Sequence, residues 1–185
     1  MRISGKTVQR LICRLFVVSL ACMPLLAAGS EAPEKADGIA NYLRVDAGLA
    51  VAGAPSAEAL ASLRNRGFKT IVNLRLETEP GVAEERGVVA AQGLRYVHVP
   101  VTPETFSLAD VETVAKVLAD ADAAPVLLHC ASSNRVGAVM AVIRVQNGAT
   151  LEAAEAEGRR LGLKSEAMVA AMKRVAAAAM AARTK

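Results

Sequence analysis

The sequence predicts an α/β domain built on a mostly parallel sheet with helices on both faces. Short apolar runs that suit buried strands alternate with segments of helical periodicity, an order typical of parallel sheets. The apolar run 125–128 leads through a short polar loop into the apolar run 136–143, which predicts a strand, a tight loop and a helix. About 155 residues remain after a predicted signal peptide, enough for one domain with a substantial core.

Each predicted element has a local signal. Ser56 and Ser107 suit helix N-caps, while Thr150 and Ser165 precede the last two helices. Strands are indicated by β-branched and apolar residues bounded by turns. The predicted strands are 43–45, 49–52, 69–74, 94–99 and 126–129, and the predicted helices are 57–66, 80–92, 107–120, one ending at 146 and two starting at 150 and 165.

Residues 1–29 have the pattern of a secretory signal peptide. Four basic and no acidic side chains precede the apolar run 15–26, and small residues at 27–30 offer a cleavage point. An uncleaved anchor is the alternative, although Pro24 interrupts a run that is short for a membrane span, and Ser19–Cys22 weakly resembles a lipoprotein cleavage site. We expect a signal peptide at 1–29, a flexible leader at 30–40, a single domain at 41–185, and a periplasmic or secreted protein free of the membrane.

Composition outside the signal peptide narrows the choice of partners and cofactors. Four of the 22 basic residues and none of the 18 acidic ones lie in residues 1–30, so 18 of each remain. This formally neutral segment has only four aromatic residues, and we expect no nucleic-acid partner. Cys130 is its only cysteine, so it has no intramolecular disulfide, and its two histidines lack zinc-site spacing. We therefore expect no metal and no cofactor, and the sequence does not indicate an oligomeric state.

The loop from Cys130 to Arg135 carries the predicted chemistry. A helix that starts directly after a buried strand offers unpaired backbone N–H groups and the positive end of its dipole to an anion. The same field favours the thiolate form of a cysteine placed there. We predict that Cys130 is a covalent nucleophile and that Arg135 clamps the substrate oxyanion. The alternative for Cys130 is a small buried apolar residue.

The strand, His-Cys, short loop, Arg and helix at 126–146 resemble the cysteine-dependent dual-specificity phosphatases. More narrowly, they are similar to a bacterial short-loop phosphatase-like branch also found fused to metallo-hydrolase or NAD-kinase-like domains, with support from 49–56, 68–75 and 96–101. The resemblance implies a dual-specificity-phosphatase-like fold that hydrolyses phosphorylated proteins or small phosphoesters through a phosphocysteine on Cys130. It also implies a loop that binds phosphoryl oxygens, supported by His129 and formed by Ala131, Ser132, Ser133, Asn134 and Arg135.

Three features keep other functions open. Only four residues separate Cys130 from Arg135, a spacing that also matches rhodanese-type sulfurtransferases, which carry a persulfide. Val136 stands where the family usually has a Ser or Thr that helps the thiolate leave. The Asp that serves as general acid in the family is absent from 99–109, where Glu104 is the only carboxylic acid and so the candidate proton donor. A sulfurtransferase and a non-catalytic phosphate- or anion-binding module therefore remain alternatives to the phosphatase.

Three further residues near the predicted site have structural alternatives. Ser133 occupies a loop position that such cradles often give to glycine, and a positive φ there costs about 1 kcal/mol. Arg75, at the carboxyl end of a predicted strand, binds substrate or forms a salt bridge with Glu77 or Glu79. His98, with apolar neighbours on a strand, suits a core or rim position.

Overall fold

The computed structural model describes residues 35–183. The predicted signal peptide lies outside these residues. Within them, the strands are β1 (Leu43–Arg44), β2 (Leu49–Ala52), β3 (Thr70–Asn73), β4 (Arg95–His98) and β5 (Val126–His129). The helices are α1 (Ala57–Leu60), α2 (Val82–Ala91), α3 (Leu108–Ala119), α4 (Asn134–Gln146), α5 (Leu151–Arg160) and α6 (Glu166–Arg183).

The strands form one sheet in the order β1-β2-β5-β3-β4. Only the edge strand β1 is antiparallel to its neighbour. Strand β5 is central and fully buried, and His129 at its carboxyl end pairs in register with Ala52 on one side and Asn73 on the other. The mostly parallel α/β architecture predicted from the sequence is therefore confirmed, and the predicted loop follows the central strand.

Two apolar cores lie on opposite faces of the sheet. The larger one joins the sheet to α3, α4, α5 and α6, and the smaller one joins it to α1 and α2. Helix α4, which follows the loop, packs on both α5 and α6. A Cβ on Gly137 would collide with the carbonyl oxygen of Gly158, so glycine allows α4 to approach α5 this closely. The start of α4 is thus held by dense packing on the larger core.

Element boundaries depart from the predictions at three places. The helix predicted over 57–66 ends at Leu60 and continues as turns, although Ser56 caps it as expected. The helix predicted from Pro80 begins at Val82, because Gly81 adopts a left-handed conformation with φ of 82°. The predicted leader is partly packed, since Ile39 is 6% exposed within the smaller core, so the packed chain begins before residue 41.

Helix α3 begins with a full capping box. The Ser107 hydroxyl accepts the amide of Asp110, and the Asp110 carboxylate accepts the amide of Ser107. Asp110 is therefore committed to the helix start, as the sequence indicates. Across residues 35–183, no helix combines the length and apolar character that a bilayer crossing requires.

Candidate active site

The loop after β5 is tied to the chain that follows β2. The Cys130 amide donates to the Ala52 carbonyl at 3.2 Å, and the Ala54 amide donates to the Ala131 carbonyl at 3.1 Å. Both segments leave the carboxyl ends of neighbouring parallel strands, where α/β sheets place their ligand sites. Cys130 itself is fully buried at the base of the loop.

Ser133 turns the chain into α4. Its φ is 68°, the left-handed region in which a side chain is strained, and its buried hydroxyl has no hydrogen-bond partner in the described chain. Asn134 then attaches the loop to the connection between α5 and α6, because its Oδ1 accepts the amides of Lys164 and Ser165 at 2.7 and 3.1 Å. The sequence-based expectation of strain at Ser133 is confirmed.

Backbone amides around the loop are free to bind an anion. The amides of Asn134, Arg135 and Val136 belong to the first turn of α4 and have no intrahelical acceptor. Within residues 35–183, the amides of Ala131 and Ser132 donate to no backbone acceptor either. These donors, together with the positive end of the α4 dipole, give the loop the character of an oxyanion cradle.

Arg135 is held by a carboxylate that follows β3. Its two terminal nitrogens donate to Oε1 and Oε2 of Glu79 at 2.6 and 2.9 Å, and Nη1 also contacts the carbonyls of Leu74 and Val101 at 3.2 and 3.4 Å. This two-pronged pair sits at 14% and 23% side-chain exposure, so water screens it only in part. The guanidinium is thereby fixed near the base of the loop.

Glu79 and Arg135 each stabilise the charged form of the other. The hydrogen bond from Arg135, against the opposing effect of burial, lowers the pKa of Glu79 to about 2. Burial alone would lower the pKa of Arg135, but hydrogen bonding to Glu79 and the charges of Cys130 and Glu79 raise it above its usual value. Cys130 and Glu79 therefore both contribute to the raised pKa of Arg135.

His129 lies behind the loop in a buried polar network. Its ring is fully buried, and Nε2 is 2.8 Å from Oε1 of Glu85, whose other oxygen is 3.7 Å from Nη1 of Arg75. Arg75 also contacts Glu79 at 3.5 Å and donates to the Pro80 carbonyl. His129 therefore lies behind the loop, held by Glu85, and its part in substrate binding stays a prediction.

A hydrogen bond to the side chain of Asn73 stabilises the turn of the chain after β3. Oδ1 of the buried Asn73 accepts the amide of Arg75 at 2.8 Å, and Nδ2 donates to the Tyr96 hydroxyl at 3.1 Å. Burial, aided by the charge of Glu85, raises the pKa of Tyr96 to about 12, so this hydroxyl stays protonated. His98 sits at the rim, bonded to the Arg75 carbonyl at 2.6 Å.

Glu104 lies on the surface in the chain between β4 and α3. Its side chain is exposed, and hydrogen bonding to Thr102 lowers its pKa. The structure therefore gathers Cys130, the loop amides and Arg135 into one site and leaves Glu104 on the surface. No cluster of three or more potential metal ligands is found among residues 35–183.

Sequence analysis missed the roles of two glutamates. The sequence indicates Glu79 only as a salt-bridge partner of Arg75, and Glu85 only as part of a predicted helix. Glu85 did carry a signal, because it lies three residues after Val82 and four before Val89 on the apolar stripe of α2. A carboxylate on the buried stripe of a helix needs a buried partner, which here is His129.

Comparisons with known proteins agree with this architecture. The solved structure of TpbA from Pseudomonas aeruginosa superposes with a TM-score of 0.62 at 23% identity, covering 85% of this chain and 96% of that one. The catalytic core of the PP-IP phosphatase SIW14 from Saccharomyces cerevisiae gives a TM-score of 0.59 at 20% identity, covering 74% and 84%.

A "Beta-lactamase hydrolase-like protein" from Agrobacterium fabrum is 33% identical over 97 residues, which cover 50% of this chain and 22% of that protein. The chain thus spans about a quarter or less of the curated relatives it matches. Residues 31–179 match the family model PTP-NADK, described as a DSP-PTPase phosphatase fused to NAD+ kinase. The chain therefore belongs to this family of dual-specificity and tyrosine-phosphatase-like proteins.

Proposed function

We propose that this protein is an exported phosphatase that hydrolyses phosphomonoesters through a phosphocysteine on Cys130. The observation that carries the proposal is that a cysteine, an arginine of the first turn of α4 and the amides of that turn meet at the carboxyl end of the central strand. A thiolate supplies the nucleophile, and the amides with Arg135 supply the charge that a phosphoryl group needs. Family membership supports a phosphatase activity.

In the first step, the Cys130 thiolate attacks phosphorus as the bond from phosphorus to the ester oxygen breaks. The leaving oxygen takes up a proton from solvent water, and the three remaining phosphoryl oxygens lie in the cradle. In the second step, water attacks the phosphocysteine and gives up a proton to solvent, the phosphorus–sulfur bond breaks, and the thiolate and inorganic phosphate are released. The guanidinium of Arg135 serves both steps, because the equatorial oxygens carry negative charge throughout.

The position of Glu104 bears on substrate choice. It is the carboxylic acid that the sequence offers as proton donor, yet it lies exposed and its pKa is lowered. A site without a placed acid acts best on esters whose leaving oxygen needs little protonation. We therefore propose aryl phosphates, including phosphotyrosine, over alkyl phosphates. TpbA, which shares the fold, has been solved with phosphotyrosine bound, and SIW14 acts on PP-IP substrates, so phosphoesters suit this fold.

The test is hydrolysis of p-nitrophenyl phosphate by the protein lacking residues 1–29, under reducing conditions. We expect turnover that Cys130→Ser abolishes and Arg135→Lys reduces by at least about a hundredfold, because lysine cannot form the two-pronged contact. Rapid acid quenching with radiolabelled substrate should trap label on the wild type and none on Cys130→Ser. Absence of turnover in the wild type contradicts the proposal.

Persulfide transfer is the second candidate, and the four-residue spacing between Cys130 and Arg135 favours it. A smaller ring of amides suits a persulfide or a small oxyanion. The same preparations, given thiosulfate and cyanide, separate the candidates: thiocyanate formation that depends on Cys130 without phosphate release supports the sulfurtransferase. Anion binding with neither reaction supports a non-catalytic module.

Export rests on the pattern of residues 1–29, with a basic start, an apolar run and small residues before residue 31. A fusion of residues 1–35 to a reporter that is active only outside the cytoplasm tests it. Retention of the reporter in the cytoplasm contradicts export, and a lipid on Cys22 would show as membrane-bound reporter that Cys22→Ser releases.

A further inference from the structure

An apolar groove lies beside the catalytic loop, between the starts of α1 and α2. Its volume is about 340 Å³, within the range of cavities that hold small ligands. Eight of its eleven lining residues carry no polar side-chain atom, and the other three are Arg75, Glu84 and Glu85. The groove therefore suits an apolar group rather than a phosphate, which needs a cradle of donors.

The groove and the catalytic loop share a segment of chain. Ala54 lines the groove, and its amide donates to the Ala131 carbonyl of the loop at 3.1 Å. Arg75, which also lines the groove, contacts Glu79 at 3.5 Å, and Glu79 in turn binds Arg135. The groove therefore adjoins the place where the phosphate of a substrate is proposed to bind.

Burial separates the floor of the groove from its rim. Leu60, Arg75 and Glu85 are buried and form the floor, whereas Ala57 and Ala61 are exposed at the rim. Both rim positions carry the small side chain of alanine, which leaves the space above Leu60 to a ligand. Burial of one apolar side chain against such a floor is favourable by the hydrophobic effect.

The charges of the groove disfavour an acidic occupant. Arg75 already lies 3.5 Å from Glu79 and 3.7 Å from Glu85, while Glu84 is exposed at the rim and forms no ion pair among residues 35–183. The buried Nε of Arg75 makes no hydrogen bond in the described chain. A peptide suits this lining, because it offers an apolar side chain together with neutral carbonyl acceptors, whereas a carboxylate or phosphate would face Glu84.

We propose that the groove binds an apolar side chain adjacent to the phosphotyrosine of a peptide segment whose phosphate occupies the Cys130 loop. The proposal rests on the proposed function, since it assumes an aryl phosphate in the loop. It names the substrate class as phosphotyrosine segments with apolar neighbours, and it makes the α1–α2 groove the element that selects them.

The test uses Cys130→Ser, which removes the nucleophile, and measures binding by calorimetry, so it does not depend on turnover. Three phosphotyrosine peptides differ only in the residue on both sides of the phosphotyrosine, which is leucine, glycine or aspartate. We expect the leucine peptide to bind at least about tenfold more tightly than the glycine peptide, a difference of about 1.4 kcal/mol. The aspartate peptide should bind more weakly than the glycine peptide.

Filling the groove should remove the preference for leucine. Ala57→Phe adds a large side chain at the rim, so the ratio of the two affinities should fall close to one. Ala61→Phe fills the groove from the other end of α1 and decides the matter if thermal unfolding shows that Ala57→Phe does not fold. Ala83→Phe is the matched control, because Ala83 is exposed on α2 and does not line the groove, so the tenfold ratio should remain.

The charge at the rim gives an independent readout. Glu84→Lys replaces an anion with a cation, so affinity for the aspartate peptide should rise at least about fivefold. Glu58→Lys makes the same change at an exposed position of α1 outside the groove and should alter this affinity less than about twofold. An equal gain from both variants would indicate general electrostatic attraction and overturn the role of Glu84.

Equal affinity for the leucine and glycine peptides, in a protein that binds orthophosphate, overturns the groove and leaves the proposed function standing. A preference that both folded phenylalanine variants of the rim retain also overturns it. A preference for biphenyl phosphate over phenyl phosphate without any preference among the peptides overturns the peptide as occupant. A preference for leucine that Ala57→Phe removes, in a protein whose wild type releases no phosphate, supports the groove and contradicts the phosphatase.

Discussion

Glu79 binds both terminal nitrogens of Arg135, so the side chain that we propose as the substrate clamp already holds a carboxylate. Oε1 of the same carboxylate also accepts the Leu76 amide at 2.7 Å, which anchors Glu79 to its own turn. A carboxylate presents two oxygens to a guanidinium much as a phosphoryl group does. A bound phosphate must therefore share Arg135 with Glu79 or displace it.

Glu79→Gln should strengthen anion binding. The amide keeps the size of the side chain but removes the charge that competes for Arg135, so we expect orthophosphate affinity to rise by about three- to tenfold. Calorimetry in the Cys130→Ser background measures this without turnover. Glu77→Gln is the matched control, because Glu77 pairs with Arg86 and His98 instead. Weaker binding would show that Glu79 positions Arg135 rather than competing for it.

The same pair predicts a stability loss in acid. The pKa of Glu79 is lowered from 4.5 to about 2. Its contribution to the free energy of unfolding is therefore fully present above pH 4.5 and is lost as the pH falls through about 2. That contribution is at most about 3 kcal/mol at neutral pH. Urea unfolding of wild type and Glu79→Gln should differ at pH 6 and converge towards pH 2. A difference in unfolding free energy that stays constant with pH would show that the charge of Glu79 does not cause it.

Glu85→Ala should destabilise the fold strongly. It leaves His129 and Arg75 buried without their shared carboxylate, and breaking a buried charged network costs about 3–5 kcal/mol. Glu84→Ala, on the exposed side of the same helix, should change stability by less than about 0.5 kcal/mol. Thermal and urea unfolding measure both, and similar losses for the two variants would contradict the role given to Glu85.

Ser133→Gly should stabilise the protein by about 1 kcal/mol. Glycine relieves the strain of φ at 68°, and it also removes a buried hydroxyl that has no partner in the described chain. Ser132→Gly is the control: Ser132 is exposed and has no positive φ, so glycine should cost about 0.5 kcal/mol there through added freedom of the unfolded chain. Urea midpoints compare the two, and a loss of stability in Ser133→Gly would show that its side chain supports the loop.

Local signals in the chain predicted most of the fold. The apolar run before His129 and the polar loop after it placed β5, the cradle and α4 correctly, because strand burial and helix starts are encoded by neighbouring residues. Ser107 and Ser56 likewise marked their helices. The early end of α1 at Leu60 was not predicted, since apolar periodicity continues beyond the point where the helix stops.

The sequence by itself determined the position of the loop and its strained Ser133, because Cys130, Ser133 and Arg135 lie within six residues between a strand and a helix that local signals predict. Only the tertiary structure decided what surrounds them. Glu79 reaches Arg135 across 56 positions and Glu85 reaches His129 across 44, because β3 and β5 are neighbours in the sheet. Pairings over such separations depend on strand order and register, which local propensity does not specify.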